Sequence, residues 1–196
     1  MKRMMILPED FKALHALVDA GRRAAALDGR HLLIFGALTA AVLALQYVAE
    51  TRDWLPSDVL WRWQPAVLIG FLVAMFMLRR GAGRRLGHPV ARAYVASFGL
   101  AATTIALVML AKGSGERPDG YWTAVVVSCA IGSAYLFVGA VTPLRWMALP
   151  GFGWLALFVF YVDRQAVVPT DWLRLSMAFL LLMALPGAVL IARKSR

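Results

Sequence analysis

The stretch Arg79–Arg92, RRGAGRRLGHPVAR, sets five arginines and three glycines between two long apolar runs, Leu60–Leu78 and Val90–Leu110. Apolar runs of about 20 residues are long enough to cross the hydrocarbon core of a bilayer as helices. A short, strongly basic loop between two such spans stays on the cytoplasmic side. Spans alternate in direction, so fixing this one loop fixes the side of every other loop.

Six windows have the length and apolarity of spans: 31–49, 60–78, 90–110, 121–141, 144–162 and 172–191. The chain is 61% apolar with a mean hydropathy of +0.67, far above a soluble domain. The connecting loops are too short to hold a soluble catalytic or nucleic-acid-binding domain. The expected fold class is therefore all-α: an integral membrane bundle of six transmembrane helices with an N-terminal amphipathic interfacial helix. Residues 1–30 form the cytoplasmic amphipathic segment, 31–192 the bundle and 193–196 a basic tail.

The net charge of +10 is distributed as topology requires rather than as a nucleic-acid footprint. With the 79–92 loop inside, fifteen of the 21 Lys and Arg are cytoplasmic, while seven of the 11 acidic residues are outside. Both termini are then cytoplasmic. The bias of arginine over lysine suggests a bacterial inner membrane. Near the N-terminus the apolar run Met4–Leu7 is too short for a signal-peptide core, so the first span is expected to be an uncleaved anchor. Anionic lipid is the expected partner of the basic face, at Arg79, Arg80, Arg84, Arg85, Arg22 and Arg23.

Residues 8–28 read as a surface helix. Pro8, Glu9 and Asp10 suit a helix start. Phe11, Leu14, Val18 and Ala25 fall on one side at helical spacing, with Lys12, Asp19, Arg22 and Arg23 elsewhere. Such a helix lies on a membrane or docks a partner.

Within the spans, small residues mark helix contacts. The strongest stripe, in the fourth window, runs through Ala124, Ser128, Gly132 and Ala140, and we expect Ser128 and Gly132 to be buried against another helix. The fifth and sixth windows share the string Met-Ala-Leu-Pro-Gly, at Met147–Gly151 and Met183–Gly187. Pro150, Gly151, Pro186 and Gly187 are candidate helix breaks, since proline in a span frees a carbonyl and permits a kink.

The motifs that are missing narrow the function. There is no GxSxG, HExxH, CxxC, Walker A or GxGxxG. The centres of the spans carry no Asp, Glu, Lys, Arg or His, whereas proton-driven transporters need intramembrane ionisable groups. One cysteine, Cys129, allows no internal disulfide. His15, His31 and His88 all fall on the inner side without thiolate or carboxylate company, and no metal or cofactor is expected. The most suggestive cluster is outer and aromatic: Trp54, Trp61, Trp63, Trp122 and Trp172 with Asp58 and Asp171. It could be an interfacial belt or a site for an organic cation.

The expectation is a non-enzymatic, partner-binding or regulatory membrane module, self-associating or bound to another membrane protein. A small permease or channel for an organic cation or other small solute is the alternative. A lipid-modifying enzyme ranks behind both, because no acid–base pair stands at a membrane interface.

Overall fold

The computed structural model describes residues 29–52, 89–112, 120–142 and 144–194. The 60–78 window and the N-terminal helix lie outside them. The described residues are helical, with no strand among them. Helix α1 is Arg30–Arg52, α2 Pro89–Lys112 and α3 Gly120–Val141. A 3-10 turn, Arg145–Met147, leads into α4, Ala148–Arg164. Helix α5, Pro169–Phe179, passes through a π turn, Leu180–Ala184, into α6, Leu185–Lys194. Four stretches are long and apolar enough to cross a membrane: Arg30–Arg52, Gly120–Val141, Arg145–Arg164 and Pro169–Arg193. Helix α2 is apolar from Arg92 to Val108.

Large side chains such as Leu38, Leu100, Phe137, Leu149, Phe152 and Val159 lie on the outside of the bundle. In water so much exposed apolar surface would be a liability. Against lipid it is the expected finish.

The helices run up and down. Gly29, just before α1, meets Gly187 of α6, and Glu50 at the other end of α1 meets Trp172 of α5. Tyr94, near the start of α2, meets His31 of α1, and Phe98 meets Tyr135 of α3. Arg164, at the end of α4, reaches Asp171 at the start of α5. One end of the bundle therefore carries Arg30, Arg92, Arg145 and Arg193. All three acidic residues described, Glu50, Asp163 and Asp171, lie at the other end, with Arg52, Arg164 and Arg174. The first is the arginine end below, the second the carboxylate end.

The first and last spans pair, although they are furthest apart in sequence. The seam between α1 and α5–α6 is closed by small groups. A Cβ on Gly187 would fall 2.5 Å from Leu33 N and 2.7 Å from Gly29 O. Those two atoms form a helical hydrogen bond of 3.0 Å. A Cβ on Gly36 would fall 2.7 Å from Ala184 N. Further along, Ser176 Oγ donates to the carbonyl of Ala40 at 2.7 Å. In lipid, close backbone approach and interhelical hydrogen bonds replace the hydrophobic effect as the forces joining helices.

The same contact recurs between α3 and α4. A Cβ on Gly151 would fall 3.0 Å from Leu136 N and 3.1 Å from Gly132 O, and one on Gly139 2.8 Å from Ala148 N. So each Met-Ala-Leu-Pro-Gly string sets its Ala and Gly against an antiparallel partner reading Gly-x3-Leu-x2-Gly. The partners are Gly29–Gly36 and Gly132–Gly139. The exposure patterns match too. Met147 and Met183 are buried, Leu149 and Leu185 face outward, and both Pro-Gly pairs are buried. The repeated string is a helix-contact unit used twice.

The prolines differ in effect. Pro150 stands in the first turn of α4, where its missing N–H has no helical partner to lose. Pro186 is deep within the last span. There the N–H of Leu185 reaches back five residues to Leu180 O, which makes the π turn. Widening the turn by one residue relieves the clash that a proline ring makes with the carbonyl four residues earlier.

Candidate functional site

At the carboxylate end, the chain leaves α4 through Gln165, whose backbone is left-handed at φ 53°. It then restarts at Pro169 with Asp171 as the third helical residue. The Val168 N–H donates to Asp171 Oδ2 at 2.9 Å, so this carboxylate caps the helix it belongs to. Arg164 pairs with it at 3.3 Å and Arg174 more closely still, while the Asp171 side chain is fully buried. Both guanidiniums also stand over the Phe160 ring, 5.7 and 5.5 Å from its centroid. Beside this cluster Glu50 accepts from Trp172 Nε1 at 2.8 Å and from Gln46 Nε2 at 2.5 Å. The Tyr161 hydroxyl lies 3.5 Å from the Asp171 carbonyl.

Of the carboxylates described at this end, Asp171 and Glu50 are therefore engaged. Asp171 meets two guanidiniums, and Glu50 joins α1 to α5. Of the aromatic set, Trp172 is 3% exposed and lies near Gly120 at the start of α3. Trp122 is 47% exposed, with its ring against Tyr121. Trp54, Trp61, Trp63 and Asp58 lie outside the described residues.

At the arginine end, His31 Nε2 lies 2.5 Å from the Tyr94 hydroxyl, and both side chains are buried. The Tyr94, Phe98 and Tyr135 rings follow in contact, which ties α1, α2 and α3 together. Arg193 stands over Trp146, 5.1 Å from the ring centroid. Arg92 and Arg145 are exposed. Arg79, Arg80, Arg84, Arg85, Arg22 and Arg23 lie outside the described residues, as do His15 and His88. Among the described residues no three His, Cys, Asp or Glu come close enough to hold a metal ion.

Ser128 and Gly132 are both buried, and Gly132 faces Leu155 and Gly151 of α4. The next stripe of α3, one residue round, does something else. Among the described residues, Val126, Cys129, Ala130, Ser133 and Ala134 line an open-sided groove of about 670 Å³. Ala96, Ser97, Leu100, Ala101 and Thr104 of α2 form its other wall, and Val125 and Phe137 of α3 and Phe158 of α4 also line it. The walls are almost wholly apolar. The Ser97 hydroxyl donates to its own helix, to the Ala93 carbonyl at 2.6 Å, so it presents little polarity to the groove. The four-residue spacing of Ala130 and Ala134, next to Cys129 and Ser133, could have revealed this second stripe; the Ser128–Gly132 stripe beside it carries the glycine and stands out more.

No known protein family, curated protein or solved structure matches the chain.

Proposed function

We propose that this is a non-enzymatic membrane module that works through its lateral surface, binding or regulating another component of the bilayer. In this reading the arginine end faces the cytoplasm of a bacterial inner membrane, and both termini lie there. The observation that carries it is the groove between α2 and α3. Among the described residues it opens on the flank of the bundle, and its walls are apolar. A permease needs a polar path along the bundle axis. Among the described residues the axis is filled instead by Tyr94, Phe98, Tyr135, Trp154 and Phe179, all under 5% exposed. The engagement of Asp171 by Arg164 and Arg174 also weakens the case for an organic-cation site.

The test uses the full chain in proteoliposomes. Uptake of a small organic cation such as tetraethylammonium should match that of empty vesicles. Native mass spectrometry of the protein released from its own membranes should show a bound membrane component. Cation flux above the empty vesicles would overturn the reading.

A further inference from the structure

Resting on the reading that the flank is the working surface, we propose that the α2–α3 groove holds an acyl chain of an anionic phospholipid whose headgroup is met by Arg92. From Val125 to Phe137 the α3 wall covers twelve residue steps, or about 18 Å at 1.5 Å per residue. That stretch is centred within Gly120–Val141, so a chain entering from the arginine end lies along it to mid-depth and beyond. Alanines 96, 101, 130 and 134 let a chain lie close to the two backbones.

Arg92 supplies the charge. It stands one helical turn before Ala96 and so shares a helix face with the groove wall. It lies about 6 Å nearer the arginine end. Helical side chains lean toward the N-terminus, and arginine stems run along apolar surface with the head at the interface. Arg92 is exposed and has no ion pair with another described residue. The cationic head therefore faces the level of a lipid phosphate. Bulk lipid is as apolar as the groove, so chain burial alone selects nothing. The groove fixes where a lipid sits, and Arg92 fixes which headgroup is kept.

The experiment is native mass spectrometry of the delipidated full chain in non-ionic detergent. It is titrated with phosphatidylglycerol or with phosphatidylcholine of the same chain length. One phosphatidylglycerol should be retained, with a preference over phosphatidylcholine of about fivefold, the worth of one arginine near an anionic lipid. Arg92→Gln should abolish the preference while leaving phosphatidylcholine retention as it was. Ala130→Phe, which fills the groove, should release both lipids. Ala130→Leu serves the same purpose if the larger side chain prevents folding. Inorganic phosphate should not displace the lipid, because it lacks the chain. Equal retention of the two lipids by the wild type would overturn the proposal. So would a preference that survives Arg92→Gln, or lipid retained by the folded Ala130 variants. A Cys129–Cys129 cross-link formed in high yield in the membrane would place a second copy in the groove and overturn it too. Flux across proteoliposomes does not enter these readouts, so failure here and failure of the functional reading are separable.

Discussion

Replacing Gly187 by alanine tests the seam between the first and last spans. The added Cβ would stand 2.5 Å from Leu33 N, and ordinary contact begins at 3.4 Å. Helices α1 and α6 must then part by about 0.9 Å, since the obstructing atoms are backbone and cannot swing away. A gap of that size forfeits about a quarter to a half of the dispersion energy of each facing atom pair. Overpacking of this kind costs about 1–3 kcal/mol, against which alanine returns up to about 1 kcal/mol of helix propensity. Gly99→Ala provides the contrast, because nothing lies within 4 Å of its added Cβ. It should be neutral or slightly stabilising. Gly153→Ala should fall between them, since its Cβ would meet only the flexible end of Leu182, at 2.8 and 2.9 Å. The propensity gain is common to both, so the two extremes should differ by the overpacking cost of about 1–3 kcal/mol, or about 2–12 °C in thermal midpoint for a chain of this size. Thermal denaturation in detergent, followed by circular dichroism and light scattering, reads the series. Gly187→Ala as stable as Gly99→Ala would refute the close backbone contact and the antiparallel pairing built on it.

Gly132→Leu should destabilise more than any alanine replacement, because even a Cβ there falls 3.0 Å from Leu155 Cδ2 and 3.2 Å from Gly151 O; unchanged thermal midpoint and oligomeric mass would count against the α3–α4 contact. Asp171→Ala should lose about 1–2 kcal/mol, chiefly the helix cap, since its arginine partners are 36% and 49% exposed and their pairing is screened. Asp171→Asn, which can still accept from Val168 N–H, should lose less, and equal losses would show that charge outweighs capping. Ser176→Ala should cost about 0.6 kcal/mol through its bond to Ala40 O, read as a lowered thermal midpoint; an unchanged midpoint would remove the bond from the seam. Changing Arg79, Arg80, Arg84 and Arg85 together to glutamine should scramble orientation, read by protease protection of tags at residues 1 and 196; correct insertion would remove the loop as the topological anchor.

The four helices long and apolar enough to cross a membrane were legible in the chain, and so was the gathering of Glu50, Asp163 and Asp171 at one end. Both rest on strong local signals. A window near 20 apolar residues has few other fates, and charged groups are kept to the ends of a span by the cost of entering lipid. The repeated Met-Ala-Leu-Pro-Gly string was also visible, but its meaning was not. Reading Pro150 and Pro186 alike overlooked that one opens a helix while the other interrupts one. The outer carboxylates could be counted, yet the engagement of Asp171 and Glu50 could not be seen. Asp171 is held by Arg164, seven residues away, and Glu50 by Trp172, 122 residues away. The pairing of α1 with α6 and the groove between α2 and α3 belong wholly to the tertiary structure. In water an apolar stripe would have announced which face turns inward. In lipid both faces of a helix are apolar, and the inward one is distinguished only by small residues such as Gly36, Ala40 and Gly132 that let a neighbouring backbone approach. Which neighbour approaches is decided by shape complementarity between distant segments, and no local stretch of sequence contains that information.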